Sequence, residues 1–178
     1  GVVFYSPGRG TAVMNLTHVE TPLEPLAASK NALVGRDESD KVVAFMRAEY
    51  PEVFAQAKVR SYGLPGIRQT RWIVGRHQLT LDEIKAAKRP ADAVARCAWW
   101  VELHDAPALV HWEKFAPDHV YYIPLGCMVP KDAGNVVAAG RCVDADLHAL
   151  SAIRVIGPCI AIRRTEEHTA QIALQGSR

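Results

Sequence analysis

The residues best suited to chemistry lie in Asn135-Val136-Val137-Ala138-Ala139-Gly140-Arg141-Cys142-Val143-Asp144-Ala145-Asp146, followed by Ile153-Arg154-Val155-Ile156-Gly157-Pro158-Cys159. The apolar run 135–139, bounded by Gly134 and Gly140, predicts a short buried strand; a glycine turn, a loop and a helix over Pro158 to Leu174 follow it. The first N–H groups of a helix have no acceptor within it and carry a partial positive charge, so such a start can hold an anionic group. An ordinary strand-to-helix crossover with its usual glycine fits the same pattern, and the spacing alone leaves both readings open.

Two further groups have suitable chemistry. Arg68 and Arg71, three apart, present planar donor forks able to clamp a substrate carboxylate, or else pair structurally with acids. His104, beside Asp105, follows a predicted strand over Ala98 to Leu103 and titrates near neutral pH, as a proton donor must; otherwise it is a loop histidine. Cys97, Cys127, Cys142 and Cys159 stand 30, 15 and 17 positions apart, which fits neither zinc nor iron–sulfur ligation, and no cysteine-hydrolase signature accompanies them. Buried free thiols are expected. His111, Glu113 and His119 have no compact ligand spacing, so no metal site is expected. Trp99, Trp100, Trp112 and Phe115 line either an apolar pocket or a core.

The elements that must position these residues mix α and β. Val2 to Tyr5 and Ala12 to His18 predict a hairpin around Ser6 to Gly10, and Leu26 to Tyr50 carries the periodicity of an amphipathic helix stopped by Pro51, with a short helix over 51–57 after it. Strands are predicted over Lys58 to Leu64, Thr70 to Gly75 and Val120 to Ile123. Thr80 is placed to cap a helix towards Lys88, and His104 to Asp118 reads as a loop. With 178 residues, 49% hydrophobic and 22% charged, the chain is one ordinary domain or a large piece of a bigger one. Its net charge of +2, from interspersed residues, argues against a nucleic-acid partner. No apolar run reaches the ~20 residues of a membrane span. Residues 1–10 lack a signal-peptide layout, so a cytoplasmic location is expected. The opening Gly1-Val2-Val3 suggests a start within a longer protein.

Four ordered segments carry a resemblance. Asn135 to Arg141 with Ile153 to Cys159 is similar to the terminal signature of FAD-dependent oxidoreductases with a glutathione-reductase-like flavin fold. Gly66-Ile67-Arg68-Gln69-Thr70-Arg71-Trp72-Ile73-Val74-Gly75 resembles that family's G-x-R-x-T-R-x-I-x-G segment. Leu79 to Asp82, and Tyr122 to Leu125 ahead of Val129-Pro130-Lys131, stand in the family's order, and weaker similarity reaches back to Ala12. The resemblance implies an α/β partial fold: a mixed α+β substrate region over residues 1–118, and over 119–178 the terminal strand and helix of a Rossmann-like FAD domain.

It further implies FAD as cofactor and an organic small-molecule substrate. Gly140, Arg141, Ile153, Arg154, Val155 and Gly157 would lie at the flavin, and Arg68, Arg71 and His104 would be catalytic; matching relatives often carry a histidine at this last place. The dinucleotide fingerprint G-x-G-x-x-G is absent, since Gly8-Arg9-Gly10 lacks the third glycine. The missing amino-terminal FAD-binding half is therefore expected in cis or on a partner subunit. The last helix departs from the family pattern: Arg163-Arg164-Thr165-Glu166-Glu167 replaces the small residues that pack against the cofactor domain, and such side chains demand solvent. A non-catalytic interaction subunit or degenerate remnant is the alternative reading.

Overall fold

A computed structural model of the chain describes residues 3–8, 10–15, 17–106 and 109–164. It mixes helix with small two-stranded antiparallel sheets and divides into two compact units, residues 1–70 and 71–178. Among the described residues no helix is long and apolar enough to cross a membrane.

In the first unit, β1 (Val3–Gly8) pairs with β2 (Thr11–Asn15), with Tyr5 opposite Val13. The predicted hairpin forms, but its strands run on through Ser6, Pro7 and Gly8 and leave a tighter turn. Helix α1 (Pro25–Glu49) starts where the Glu24 carboxylate accepts from the N–H groups of Leu26 and Ala27 at 3.0 and 2.7 Å. Pro25 stands at its start and Pro51 opens α2 (Pro51–Phe54), positions where a missing N–H costs no helical bond. Leu33 and Phe45, on the predicted apolar face, are exposed; Gly35 is the buried residue of α1, packed against Pro65 and Val19. The strand predicted over 58–64 is not formed. Its Tyr62 hydroxyl donates to Asp40 of α1 at 2.6 Å, so this segment is tied to a helix by a side chain rather than to a strand by a ladder.

In the second unit, α3 (Leu81–Lys85) has the capping box that Thr80 predicts: the Glu83 N–H donates to Thr80 Oγ1 at 3.3 Å, and the Thr80 N–H to Glu83 Oε2 at 3.2 Å. Strand β3 (Ala93–Cys97) pairs with β6 (Tyr121–Pro124), and β4 (Val101–Ala106) pairs with β5 (Leu109–Glu113). The reading of 104–118 as loop is thereby corrected for 104–106 and 109–113, while 114–118 is irregular. Polar residues there alternate with apolar ones along a hairpin, Glu102 opposite Trp112 and Leu103 opposite His111. A second correction is α4 (Leu147–Ile153), which lies in the predicted loop. Asp146 caps it by accepting from the Ala149 N–H at 2.8 Å, and Ala149, Leu150, Ala152 and Ile153 are buried. The core joins these to Leu79, Ile84, Val101, Tyr121, Ile123, Met128, Val143 and Ile162.

Two more predicted strands are absent. Residues 70–75 form no strand; instead the 73–79 segment threads between 126–131 and 142–146. The Ile73 N–H donates to Cys142 O (2.9 Å), Arg76 to Val129 O (3.0 Å), His77 to Gly126 O (3.1 Å) and Lys131 to Val74 O (2.8 Å). Residues 135–139 are neither a strand nor buried. Val136 is 51% exposed, the Ala138 N–H donates to Met128 O, and no described strand lies alongside to complete a ladder. The segments 73–79, 126–131 and 142–146 thus meet as irregular backbone, with the buried Asp144 carboxylate accepting from the Gly75 N–H at 2.8 Å and from Gln78 Nε2 at 3.0 Å.

The α3 cap has a pH signature. Burial pushes the Glu83 carboxyl up, but hydrogen bonds from Lys88 and His77 (2.8 and 2.9 Å) and from the Thr80 N–H outweigh it and hold the pKa at about 2, below the usual 4.5. A carboxylate depressed on folding stabilises fully above its unfolded pKa, and that contribution fades as pH falls from about 4.5 towards 2. With solvent screening the expected loss is about 1–2 kcal/mol. Urea unfolding of Glu83→Gln across pH 6 to 2.5 should show a correspondingly shallower pH dependence than wild type; identical slopes would remove Glu83 from the account.

Candidate functional site

The start of the helix over residues 156–164 is built from α4 outward. Arg154 follows the last turn of α4, its N–H donating to Leu150 O at 3.0 Å, and the Cys159 N–H donates to Val155 O at 3.1 Å, which makes Val155 the cap of the next helix. Two adjoining helices therefore meet at Arg154 and Val155. The Cys159 thiol donates back to Arg154 O at 3.2 Å, while Arg154 Nη2 donates to Glu102 O of β4 at 2.8 Å. Arg154 is thus fixed both through its backbone and at its guanidinium tip.

Beyond Arg154 the first turn opens to solvent. Gly157 is exposed, and a Cβ placed on it would meet no heavy atom within 4 Å. Pro158 is buried and brings no N–H, so the donors of this turn are Ile156 and Gly157. The helix anchors itself by Pro158 and Ile162, one turn apart on the buried side, and leaves Arg163 and Arg164 in solvent. Those two arginines accordingly do not hold it off the core. The remainder of the predicted helix, residues 165–174, including Thr165, Glu166 and Glu167, lies outside the described residues.

Gly140 opens a 3₁₀ turn, Gly140–Cys142, with φ of +68°, a conformation that residues with a side chain rarely adopt. A Cβ on it would point at Cys159 Sγ, 3.6 Å away, an ordinary contact, so the glycine answers to backbone conformation rather than to a lack of room. This turn therefore packs on the helix start. Burial pushes the Cys159 thiol up in pKa while the Arg141 guanidinium pulls it down; the net shift is upward, and the group stays a thiol at neutral pH.

On β4, Glu102 and His104 are two apart and share a face. His104 Nε2 lies 2.9 Å from Glu102 Oε1, with the side chains 11% and 19% exposed respectively. Among the predicted site residues, His104 and Arg154 are thus joined through Glu102, and Gly140 and Arg141 lie beside Cys159, two residues after Gly157. Ile153 is fully buried in the core, which leaves only its backbone for a ligand. Val155 is half-buried at the cap. Arg68 is half-buried in the irregular segment of the first unit. Arg71 is exposed at the beginning of the second, two residues before the Ile73 N–H that reaches Cys142 O. Ending the expected strand at Leu103 separates Glu102 from His104; Glu-x-His on one face of a strand is the signal that joins them.

An open first helical turn with Gly157 at its mouth, flanked by Arg154 and by Arg141 of the adjoining turn, suits a planar group that gains negative charge. The family described as FAD dependent oxidoreductase has a model that matches residues 4–178. No curated protein and no solved structure matches the chain.

Proposed function

Because the chain belongs to the FAD dependent oxidoreductases, a family that binds FAD, we propose that it holds the isoalloxazine end of the cofactor at the start of the 156–164 helix and supplies a proton through His104. The observation that carries this reading is the bond from Arg154 Nη2 to Glu102 O, which ties the helix start to the strand bearing His104. Bound FAD would supply the two-electron acceptor for an organic substrate.

The residues of the chain have distinct parts. The Ile156 and Gly157 N–H groups and the backbone cap at Val155 would face the pyrimidine edge, where negative charge gathers on reduction. Arg141 and Arg154 add fixed positive charge beside it, and Gly140 gives the turn carrying Arg141 its conformation. His104, largely shielded from water, would hold a proton at an imidazole nitrogen for the substrate or the reduced ring. Arg68 and Arg71 are proposed as anchors for a substrate carboxylate or a flavin oxygen, with residues 1–118 as the substrate region and 119–178 as the flavin region. The pyrophosphate and adenosine would be gripped by a G-x-G-x-x-G segment that this sequence does not contain, supplied in cis or by a partner subunit.

The test is a flavin titration of this chain. FAD should bind weakly, with Kd above about 1 µM, short of roughly 8 kcal/mol. Lumiflavin, the ring without ribityl phosphate or adenosine, should bind within about tenfold of FAD, because the ring is the part this chain is proposed to hold. A stoichiometric FAD complex tighter than 1 µM would show that the chain grips the whole dinucleotide and overturn the division of labour. A lack of any ring binding, even with the other half supplied, would favour the interaction-subunit reading.

A further inference from the structure

We infer that Glu102 is a positioning residue for His104: its carboxylate fixes the tautomer and orientation of the imidazole, so that the proton carrier of the site is a Glu–His pair rather than a lone histidine. The inference rests on the proposed role of His104. An ionised carboxylate can only accept, so at 2.9 Å from Glu102 Oε1 it is His104 Nε2 that carries the hydrogen and donates. This leaves Nδ1 as the nitrogen whose protonation changes when the ring takes up or releases a proton. Both side chains are largely withdrawn from water, which strengthens the pair and restricts the ring to one orientation.

The backbone keeps Glu102 in place independently of its carboxylate. It lies opposite Trp112 in the β4–β5 ladder, and its carbonyl accepts from Arg154 Nη2 at 2.8 Å. A shift of β4 would therefore move the pair and the Arg154 tip together. Other titratable and charged groups on elements packed against β4 are His111 and Glu113 of β5, the latter bound to Lys85 at 2.7 Å, His148 of α4, and Arg154 itself. Glu102 lies within hydrogen-bond reach of His104, at 2.9 Å.

Histidine-selective ¹⁵N NMR of the chain reads the pair without any cofactor. Wild type should show His104 as a single tautomer protonated at Nε2. Glu102→Gln keeps an acceptor oxygen and removes the charge, so the tautomer should persist while His104 titrates at lower pH. Glu102→Leu should release the ring into mixed tautomers. Unchanged tautomer and titration in Glu102→Gln overturns the inference even if the leucine variant fails to fold.

The flavin-loaded protein separates this inference from the reading beneath it. The pH dependence of the flavin midpoint potential should show an inflection that His104→Gln abolishes and Glu102→Gln moves to lower pH. Persistence of the inflection in His104→Gln overturns the proton-carrying role, whatever NMR shows. Loss in His104→Gln with no movement in Glu102→Gln overturns the positioning role alone. A purely structural Glu102 would lower Tm without moving the inflection.

Discussion

Replacing Gly75 by alanine is expected to remove a large part of the stability of the second unit. The added Cβ would lie 2.9 Å from Asp144 Cβ, 2.9 Å from His77 O and 3.0 Å from Gly126 O, and two of these are backbone atoms. The Gly126 carbonyl cannot easily retreat, because it accepts from the His77 N–H at 3.1 Å. Overpacking of this kind costs about 1–3 kcal/mol. If Gly75 also shifts to relieve part of the clash, its N–H leaves the buried Asp144 carboxylate, at a further cost of about 1–3 kcal/mol. Against a total of about 5–15 kcal/mol, a combined loss of about 2–6 is severe. Urea unfolding measures it, with Gly134→Ala as control, since a Cβ there meets nothing within 4 Å. A Gly75→Ala midpoint indistinguishable from wild type would mean that the threaded backbone is not as tight as its geometry.

Arg154→Ala is expected to weaken flavin binding in the loaded protein by about 10–100-fold, the ~1.5–3 kcal/mol of a hydrogen bond to a charged group. Two losses combine. The positive charge proposed to act on the flavin disappears, and the tether from Arg154 to Glu102 O of β4 goes with it. Arg154→Lys should recover less than half of the lost free energy, because a point charge on a flexible stem replaces a planar fork that reaches the carbonyl with one nitrogen and leaves others for the ligand. Flavin release on dilution, followed by fluorescence, gives the affinities; thermal unfolding of the same samples gives the stability. A lower Tm with unchanged flavin affinity would reduce Arg154 to a strut between α4 and β4.

Local chemistry made several elements readable from the residues alone. Pro51 separates α1 from α2, Thr80 with Glu83 starts α3, and the ordered segments around Gly75, Leu79, Val129 and Gly140 point to the flavin oxidoreductase family over most of the chain. Each of these signals acts within a few residues. The failures are all non-local. Residues 58–64, 70–75 and 135–139 have strand-forming composition, but a strand exists only where a neighbour completes its ladder, and here Asp40, the Asp144 carboxylate and single carbonyls take the polar groups instead.

Conversely, the polar stretch after Leu103 became β4 and β5 because two segments of similar length pair, and α4 formed because Asp146 caps a run whose small and apolar residues find a core to enter. The sequence by itself determined the family, the end of α1, the start of α3 and the residue types around the turn proposed to face the flavin. Only the tertiary structure decided that Glu102 meets His104 and that Arg154 reaches Glu102, fifty-two positions away in the chain, since such contacts follow from how elements pack and leave no periodic trace in the order of residues.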